Sequence, residues 1–438
     1  MTNFEIGLAM FGAALVLIAL RMPVGIAMLL VGGVGYAEIA GWDRLLAALN
    51  TMTFSRFSSY TLSVIPLFLL MGDFATKGGM NRALFRCARA WMGHWRGGLA
   101  VATIGGCAAF GAICGSSLAT AATMSQVAGP EMRRHGYSSA LATGTLAAGG
   151  TLGILIPPSV ILVIYAIYTE QSIGTMFVAA VIPGLIATTG YMLVVNLYAR
   201  LVPGAAPPAE RLPYRERLRA TAEVWPVAMV FILVVTGMYV GWFGATEGAA
   251  IGAAATGLLA VALGGMRWQG LKESLLSTAE TTGLIFLVLL GAELFSAGLA
   301  LSRLPSELSA AVAGLDVAPL TVLLAILVIY FILGCFMESL AMVLLTLPIF
   351  VPLMLSLDFG LNPTQVLVWF GILVLMSVEV GMISPPFGLN LFVINAMAKD
   401  VPMGETYRGV LGFVASDGIR ILLLALLPAI SLWLPGLW

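Results

Sequence analysis

Two stretches of this chain carry the same punctuation inside apolar runs: Gly-x-x-x-Pro-Pro, from Gly153 to Pro158 and again from Gly381 to Pro386. Proline removes a backbone donor and clashes with the preceding turn, so Pro157, Pro158, Pro385 and Pro386 are expected to break helices. Broken backbone at membrane depth is tolerated only where it is buried in protein or lines a polar cavity. Small hydroxyl and amide side chains accompany both breaks: Ser116, Ser117 and Thr120 in the run CGSSLATAATM, and Ser384 and Asn390 beside the second Pro-Pro pair. Freed carbonyls and hydroxyl oxygens suit a hard monovalent cation such as sodium, whereas the N-terminal ends of half-helices suit an anion. The same small residues would also let helices pack closely, and on their own they leave both readings open.

Glu338, followed by Ser339, and Glu379 are acids inside apolar runs. A charge at a helix centre costs on the order of 2.5–3.5 kcal/mol on insertion scales, so each is expected to face a cavity or a partner. Asp73 and Glu293 lie nearer helix ends and read as interfacial anchors, and Thr246 with Glu247 reads as a helix start. The four cysteines, Cys87, Cys107, Cys114 and Cys335, show no paired spacing and read as small buried side chains. His94 and His135 sit in basic loops, where a solvated role is expected rather than metal binding. The chain has neither a phosphate-binding Walker loop nor an H-E-x-x-H motif. The expected source of energy is therefore an ion gradient, with no organic cofactor, no metal other than sodium and no nucleic-acid partner.

The elements that must position these residues are helices. Of 438 residues 60% are hydrophobic and 10% charged, with a mean hydropathy of +1.02, which assigns nearly the whole chain to a bilayer. No basic region precedes the first apolar run, so that run is expected to be a retained helix. Helices are predicted at about 4–20, to 40, 62–76, 138–168 (containing the first break) and 173–198. An amphipathic arm is predicted at 42–60 and a basic amphipathic stretch at 77–96. A re-entrant hairpin is expected at about 97–134. After the polar, proline-bearing linker 203–222 the plan recurs: helices at 225–242 and 249–263, a short basic segment 267–273, a helix at 281–301 and a loop at 302–317. A second hairpin at about 318–357, the second break and a last helix at 413–434 complete it. The implied division is scaffold helices and arm 1–60, transport-domain half 61–202, linker 203–222, scaffold 223–277, second transport-domain half 278–408 and a C-terminal helix 409–438. Three matches in the same order support a repeat: Thr61 onward with Thr281 onward, Ser117-Leu-Ala with Ser339-Leu-Ala, and the two Pro-Pro breaks.

Charge sets the orientation. With the first helix entering from outside and each hairpin entering and leaving on one side, all of the 21 Lys and Arg residues fall inside except Arg44, Arg56, Arg303 and Arg420. That bias obeys the positive-inside rule and puts both termini on the periplasmic side. Arg420, within the last helix, is expected to pair with Asp417. The first hairpin then opens inward and the second outward, so the halves are inverted. The fold class expected is an all-α polytopic membrane protein, an inverted repeat with two re-entrant hairpins and broken helices meeting near the midplane, an architecture of secondary transporters. The basic arms read as lipid-headgroup contacts.

The stretches IPLFLLMGDF, GAICGSSLATAATM, GILIPPS, GCFMESLAMVLLTLPIF, VEVGMISPPFGLNLFV and SLWLP, in order across nearly the whole chain, resemble the large membrane subunit of the tripartite ATP-independent periplasmic (TRAP) transporters. The resemblance implies an elevator-type, sodium-coupled importer of organic anions (dicarboxylates, sialic acids or other carboxylates) in the bacterial inner membrane. It implies two partners, a separate small four-helix membrane subunit and a periplasmic substrate-binding protein. It also implies one sodium site at Ser117, Gly153, Ile156 and Pro158 and another at Gly334, Gly381, Ser384 and Phe387. Ser116, Thr120, Glu338, Ser339, Glu379 and Asn390 are the candidates for the substrate cavity. Cys114 stands where the family often has Ser, which weakens it as an oxygen ligand, whereas Ser384 for Thr keeps the hydroxyl and Glu338 for Asp keeps the acid. The rival readings are a stand-alone ion-coupled carboxylate carrier, a channel, and an intramembrane enzyme with Glu338 and Glu379 as its acids; the first would work without a binding protein, the others would need a continuous pore or a nucleophile.

Overall fold

A computed structural model describes residues 2–315 and 317–437; Met1, Asp316 (in the expected loop 302–317) and Trp438 lie outside it. The described chain is all-helical. In order it forms α1 (Asn3–Ala19), α2 (Val24–Ala40), α3 (Trp42–Phe57), α4 (Val64–Lys77), α5 (Met80–Met92), α6 (Gly98–Cys114), α7 (Ser117–Arg134), α8 (Ser139–Leu155), α9 (Val160–Tyr168) and α10 (Ile173–Leu201). The second half follows as α11 (Tyr214–Val240), α12 (Ala245–Ala262), α13 (Trp268–Ser302), α14 (Leu304–Ala313), α15 (Pro319–Gly334), α16 (Ser339–Ser356), α17 (Pro363–Met382), α18 (Leu389–Met397), α19 (Met403–Leu426) and α20 (Ala429–Leu432). Among the described residues seven helices are long and apolar enough to cross a membrane, or nine if each bent pair counts as one span.

Both hairpins and both breaks occur where the small residues and prolines put them. α6 and α7 pack as the first hairpin and α15 and α16 as the second. α8 and α9 meet at a bend of 40°, and both Pro-Pro bonds are cis. Glu247 caps α12, its carboxylate accepting the Gly244 N–H at 2.6 Å, as its place in the sequence suggested.

Four expected bounds are corrected. The linker's second part, from Tyr214, is already the first turns of α11. The basic segment 267–273 and the helix after it are one helix of 35 residues, α13, whereas its counterpart in the first half is bent by 53° between α3 and α4. The expected loop 302–317 contains α14. The last long helix begins at Met403 rather than 413 and ends at Leu426, before Pro428. In α11, α13 and α19 charged or small polar residues extend the helix beyond its apolar part, whereas α14 is a separate helix that starts after Arg303.

The core is built around α17, which is almost wholly buried, with α8, α16 and α19 against it. α2 lies along α13 because glycines let the backbones meet: a methyl at Gly32 would stand 2.6 Å from the Phe295 nitrogen, and one at Gly291 2.3 Å from the Gly25 oxygen. Ion pairs join charges that the positive-inside assignment puts on one face: Lys77 with Glu273, Arg89 with Glu131 at 2.8 Å and Arg133 with Asp400 at 3.1 Å. Of the two expected anchors, Glu293 pairs with Arg56 at 2.5 Å. Cys107, Cys114 and Cys335 are buried. His94, in the loop after α5, is held below the usual histidine range by burial, helped by Arg217 and Arg211.

Candidate functional site

Eight helix ends meet where the two tips sit on the two breaks. α6, α8, α15 and α17 present their C-termini at Cys114, Leu155, Gly334 and Met382, and α7, α9, α16 and α18 start at Ser117, Val160, Ser339 and Leu389. Each end leaves backbone groups without helical partners, carbonyls at the C-termini and N–H groups at the N-termini. The centre of the molecule thus holds oxygens suited to a cation beside donors suited to an anion.

The first hairpin tip sits on the first break. Gly115 turns the tip with φ +64, a conformation side chains disfavour, and a methyl there would stand 3.1 Å from the Pro158 oxygen. A methyl at Gly153 would stand 2.6 Å from the Thr120 Oγ1 and 2.7 Å from the Ser116 oxygen. Thr120 Oγ1 is buried without a hydrogen-bond partner. Ile156 caps α8 in extended conformation, its side chain turned to Gly184 of α10, so only its backbone is available to the break.

The second tip repeats the arrangement. A methyl at Gly381 would stand 2.6 Å from the Gly334 backbone, the Gly388 N–H donates to the Cys335 carbonyl at 3.3 Å, and the rings of Phe336 and Phe387 lie 4.8 Å apart. Ser384 is buried and donates to the Val380 carbonyl at 2.6 Å, which leaves its oxygen lone pairs free. Met382 joins the two tips: its Sδ accepts from Ser339 Oγ at 2.8 Å and from Ser117 Oγ at 3.6 Å. Its role was not read from the sequence, and a lone Met in an apolar run gives no signal of it.

Beside the tips lies a cavity of about 260 Å³ lined by Ser116, Ser117 and Glu338, with Leu69, Thr281 and Ile285 of α4 and α13 among the opposite wall. Ser116 and Glu338 do equivalent work: Ser116 caps α7 by accepting the Ala119 N–H, and Glu338 caps α16 by accepting the Ala341 N–H. Among the described residues no Lys or Arg lines this cavity. Thr281 was missed as a lining residue, although the match between Thr61 and Thr281 onward marked its helix.

Thr120, Ser339, Glu379 and Asn390 do not line the cavity. Thr120 and Ser339 are buried behind the tips. Asn390 is buried against α8, donating to the Ala147 carbonyl at 3.4 Å. Glu379 lies on the far side of its break, fully inside the helix bundle, with both carboxylate oxygens lacking a protein partner. The pair expected at Arg420 and Asp417 is present at 2.7 Å.

The chain matches the family described as tripartite ATP-independent periplasmic transporter, DctM component, over residues 11–430. It is 36% identical to the C4-dicarboxylate TRAP transporter large permease protein DctM of Pseudomonas aeruginosa, across 87% of this chain and 88% of that one. It is 31% identical to the sialic acid TRAP transporter large permease protein SiaM of Vibrio cholerae, across 95% of each. Its fold is similar to that of the YdaH transporter of Alcanivorax borkumensis, with a TM-score of 0.58 and 15% identity, across 91% of this chain and 89% of that one.

Proposed function

The chain belongs to the DctM-component family of tripartite ATP-independent periplasmic transporters, and on that premise we propose that it is the large permease of a sodium-coupled importer of organic anions. It is a multi-pass membrane protein and a transporter, not an enzyme. The observation that carries the finer reading is the convergence of four helix C-termini and four helix N-termini on one centre, where carbonyls serve sodium and N–H groups serve a carboxylate.

One sodium is held between the first tip and break, by Ser117 with backbone oxygens of Gly153, Ile156 and Pro158; the other is held by Gly334, Gly381, Ser384 and Phe387 of the second pair. The carboxylate substrate lies in the cavity edged by Ser116 and Glu338. With no cationic side chain on that wall, helix N-termini and bound sodium supply the positive field. Dicarboxylates, sialic acids and similar carboxylates fit this chemistry, as the names of the relatives suggest. Energetics favour coupling: each charge crossing the membrane field is worth about 2.3 kcal/mol per 100 mV. A dianion therefore needs more than two sodium ions before the potential helps its entry. Residues 1–60 and 223–277 form the scaffold and residues 61–202 and 278–408 the moving part, in a bacterial inner membrane with both termini periplasmic.

The family description is of a three-part system, and the partners we propose are a small four-helix membrane subunit and a periplasmic binding protein that delivers the anion. Uptake by proteoliposomes holding both membrane subunits is expected to depend on added binding protein, whose thermal stability should rise with one class of carboxylate in a panel. Full uptake by this chain alone would favour a stand-alone carrier instead.

A further inference from the structure

Behind both breaks, away from the cavity, four helices bury a polar cluster. Arg420 and Asp417 of α19 pair at 2.7 Å with almost no exposure. The Tyr191 hydroxyl of α10 donates to Asp417 Oδ2 at 2.7 Å and stands 3.1 Å from Thr151 Oγ1 of α8. The Arg420 guanidinium lies over the Tyr191 ring, 5.5 Å from its centroid. From α17, which packs on both α8 and α19, the buried Glu379 carboxylate lies within electrostatic range of Arg420, Asp417 and Thr151 without an ion pair to Arg420.

The places of these residues in the repeat are telling. Thr151 and Glu379 each stand two residues before the glycine of a Gly-x-x-x-Pro-Pro break, Gly153 or Gly381. The cluster therefore bonds the first broken helix at Thr151 and lies beside the second at Glu379, at matching points two residues before each motif glycine. A buried guanidinium inside a membrane helix is costly unless it is paired and hydrogen-bonded. Its planar fork can satisfy two partners at once, which an ammonium cannot do in fixed geometry. Arg420 Nε and Nη1 and both Glu379 oxygens lack hydrogen-bond partners among the described residues. These complementary donors and acceptors are what water molecules bridge in buried polar sites.

We propose that Arg420, with Asp417, is a positioning residue for both breaks at once, tying α8 through Tyr191 and Thr151 and α17 through Glu379. The two cation sites then form and empty together instead of independently. This rests on the sodium reading given above.

The test is a sodium titration of uptake, and of thermal stabilisation, in the complex of the two membrane subunits. The native complex is expected to respond with a Hill slope above one. Replacing the pair by apolar residues, Asp417→Leu with Arg420→Met, keeps a packed helix contact, a change that buried ion pairs often tolerate. This variant is expected to fold, to need at least about fivefold more sodium, the low end of coupling between sites, and to lose the slope. Arg420→Lys, which keeps the charge beside Asp417 but loses the planar fork, is expected to lower the slope toward one. A native slope of one overturns the proposal, as does a folded apolar-pair variant with native sodium steepness; should the variants fail to fold, the native titration decides. Sodium acting no better than potassium would overturn the functional reading itself, whereas sodium binding without steepness overturns only this inference.

Discussion

Ser117→Ala and Ser384→Ala, made separately, are each expected to raise the sodium needed for half-maximal uptake by about ten- to a hundredfold, since an interaction of hydrogen-bond type with a charge is worth about 1.5–3 kcal/mol. Both side chains are buried, at 2% exposure, so water cannot take the place of the lost oxygen without room being made for it. Neither hydroxyl holds the fold together. Ser384 bonds a carbonyl of its own helix turn, and Ser117 has only a long contact to the Met382 sulfur. Expression and thermal stability in potassium should therefore stay near native, while sodium-dependent stabilisation is lost. Made together, the two changes should abolish uptake. Sodium titrations on the same proteoliposomes measure all of this, and an unchanged half-saturation in both single variants would contradict the assignment.

Gly381→Val should be the most damaging single change at the second break. Even the first added carbon would stand 2.6 Å from the Gly334 backbone and 2.8 Å from the Phe331 oxygen. Both neighbours are main chain, so no rotamer change relieves the overlap and the hairpin tip must move off the break. Overpacking of this kind costs about 1–3 kcal/mol, occasionally more, and here the cost falls on the contact that forms the proposed cation site. Uptake is expected to fall by about a hundredfold or more, a barrier change near 3 kcal/mol. Gly12→Ala, in α1 with open space around its α-carbon, is the control and should transport normally. Uptake and thermal unfolding measured side by side separate loss of the site from loss of the fold.

The features legible from the sequence were those where local backbone chemistry dominates. Proline pairs at 157–158 and 385–386 end helices whatever surrounds them, and the run of small residues around Ser116 and Ser117 marked the first hairpin. Charge bias located the loops, and the three-residue spacing of Asp417 and Arg420 was enough to pair them. Hydropathy located only the apolar part of each helix. α11 and α19 begin in charged stretches, Tyr214–Glu223 and Met403–Arg408, that lengthen the helix without adding hydrophobicity. α13 likewise runs unbroken through its basic start. Contacts between distant segments left no local trace: Ser117 and Ser339 meeting on Met382, or Tyr191 and Thr151 joining the Asp417 pair, follow only from how the inverted halves close on each other. Glu379 is a case in point. Its place in an apolar run marked it as important, but not whether it faced the cavity or the bundle behind the break.

The proposed coupling is of sodium ions held at the two breaks to entry of an organic anion. It is tested most directly by loading the reconstituted complex, with its binding protein and anion, under an inward gradient of sodium or of potassium at equal membrane potential. Uptake against the anion's own gradient with sodium, and none with potassium, is the predicted result. Equal uptake with both ions, or uptake that persists when the sodium gradient is collapsed, would contradict it.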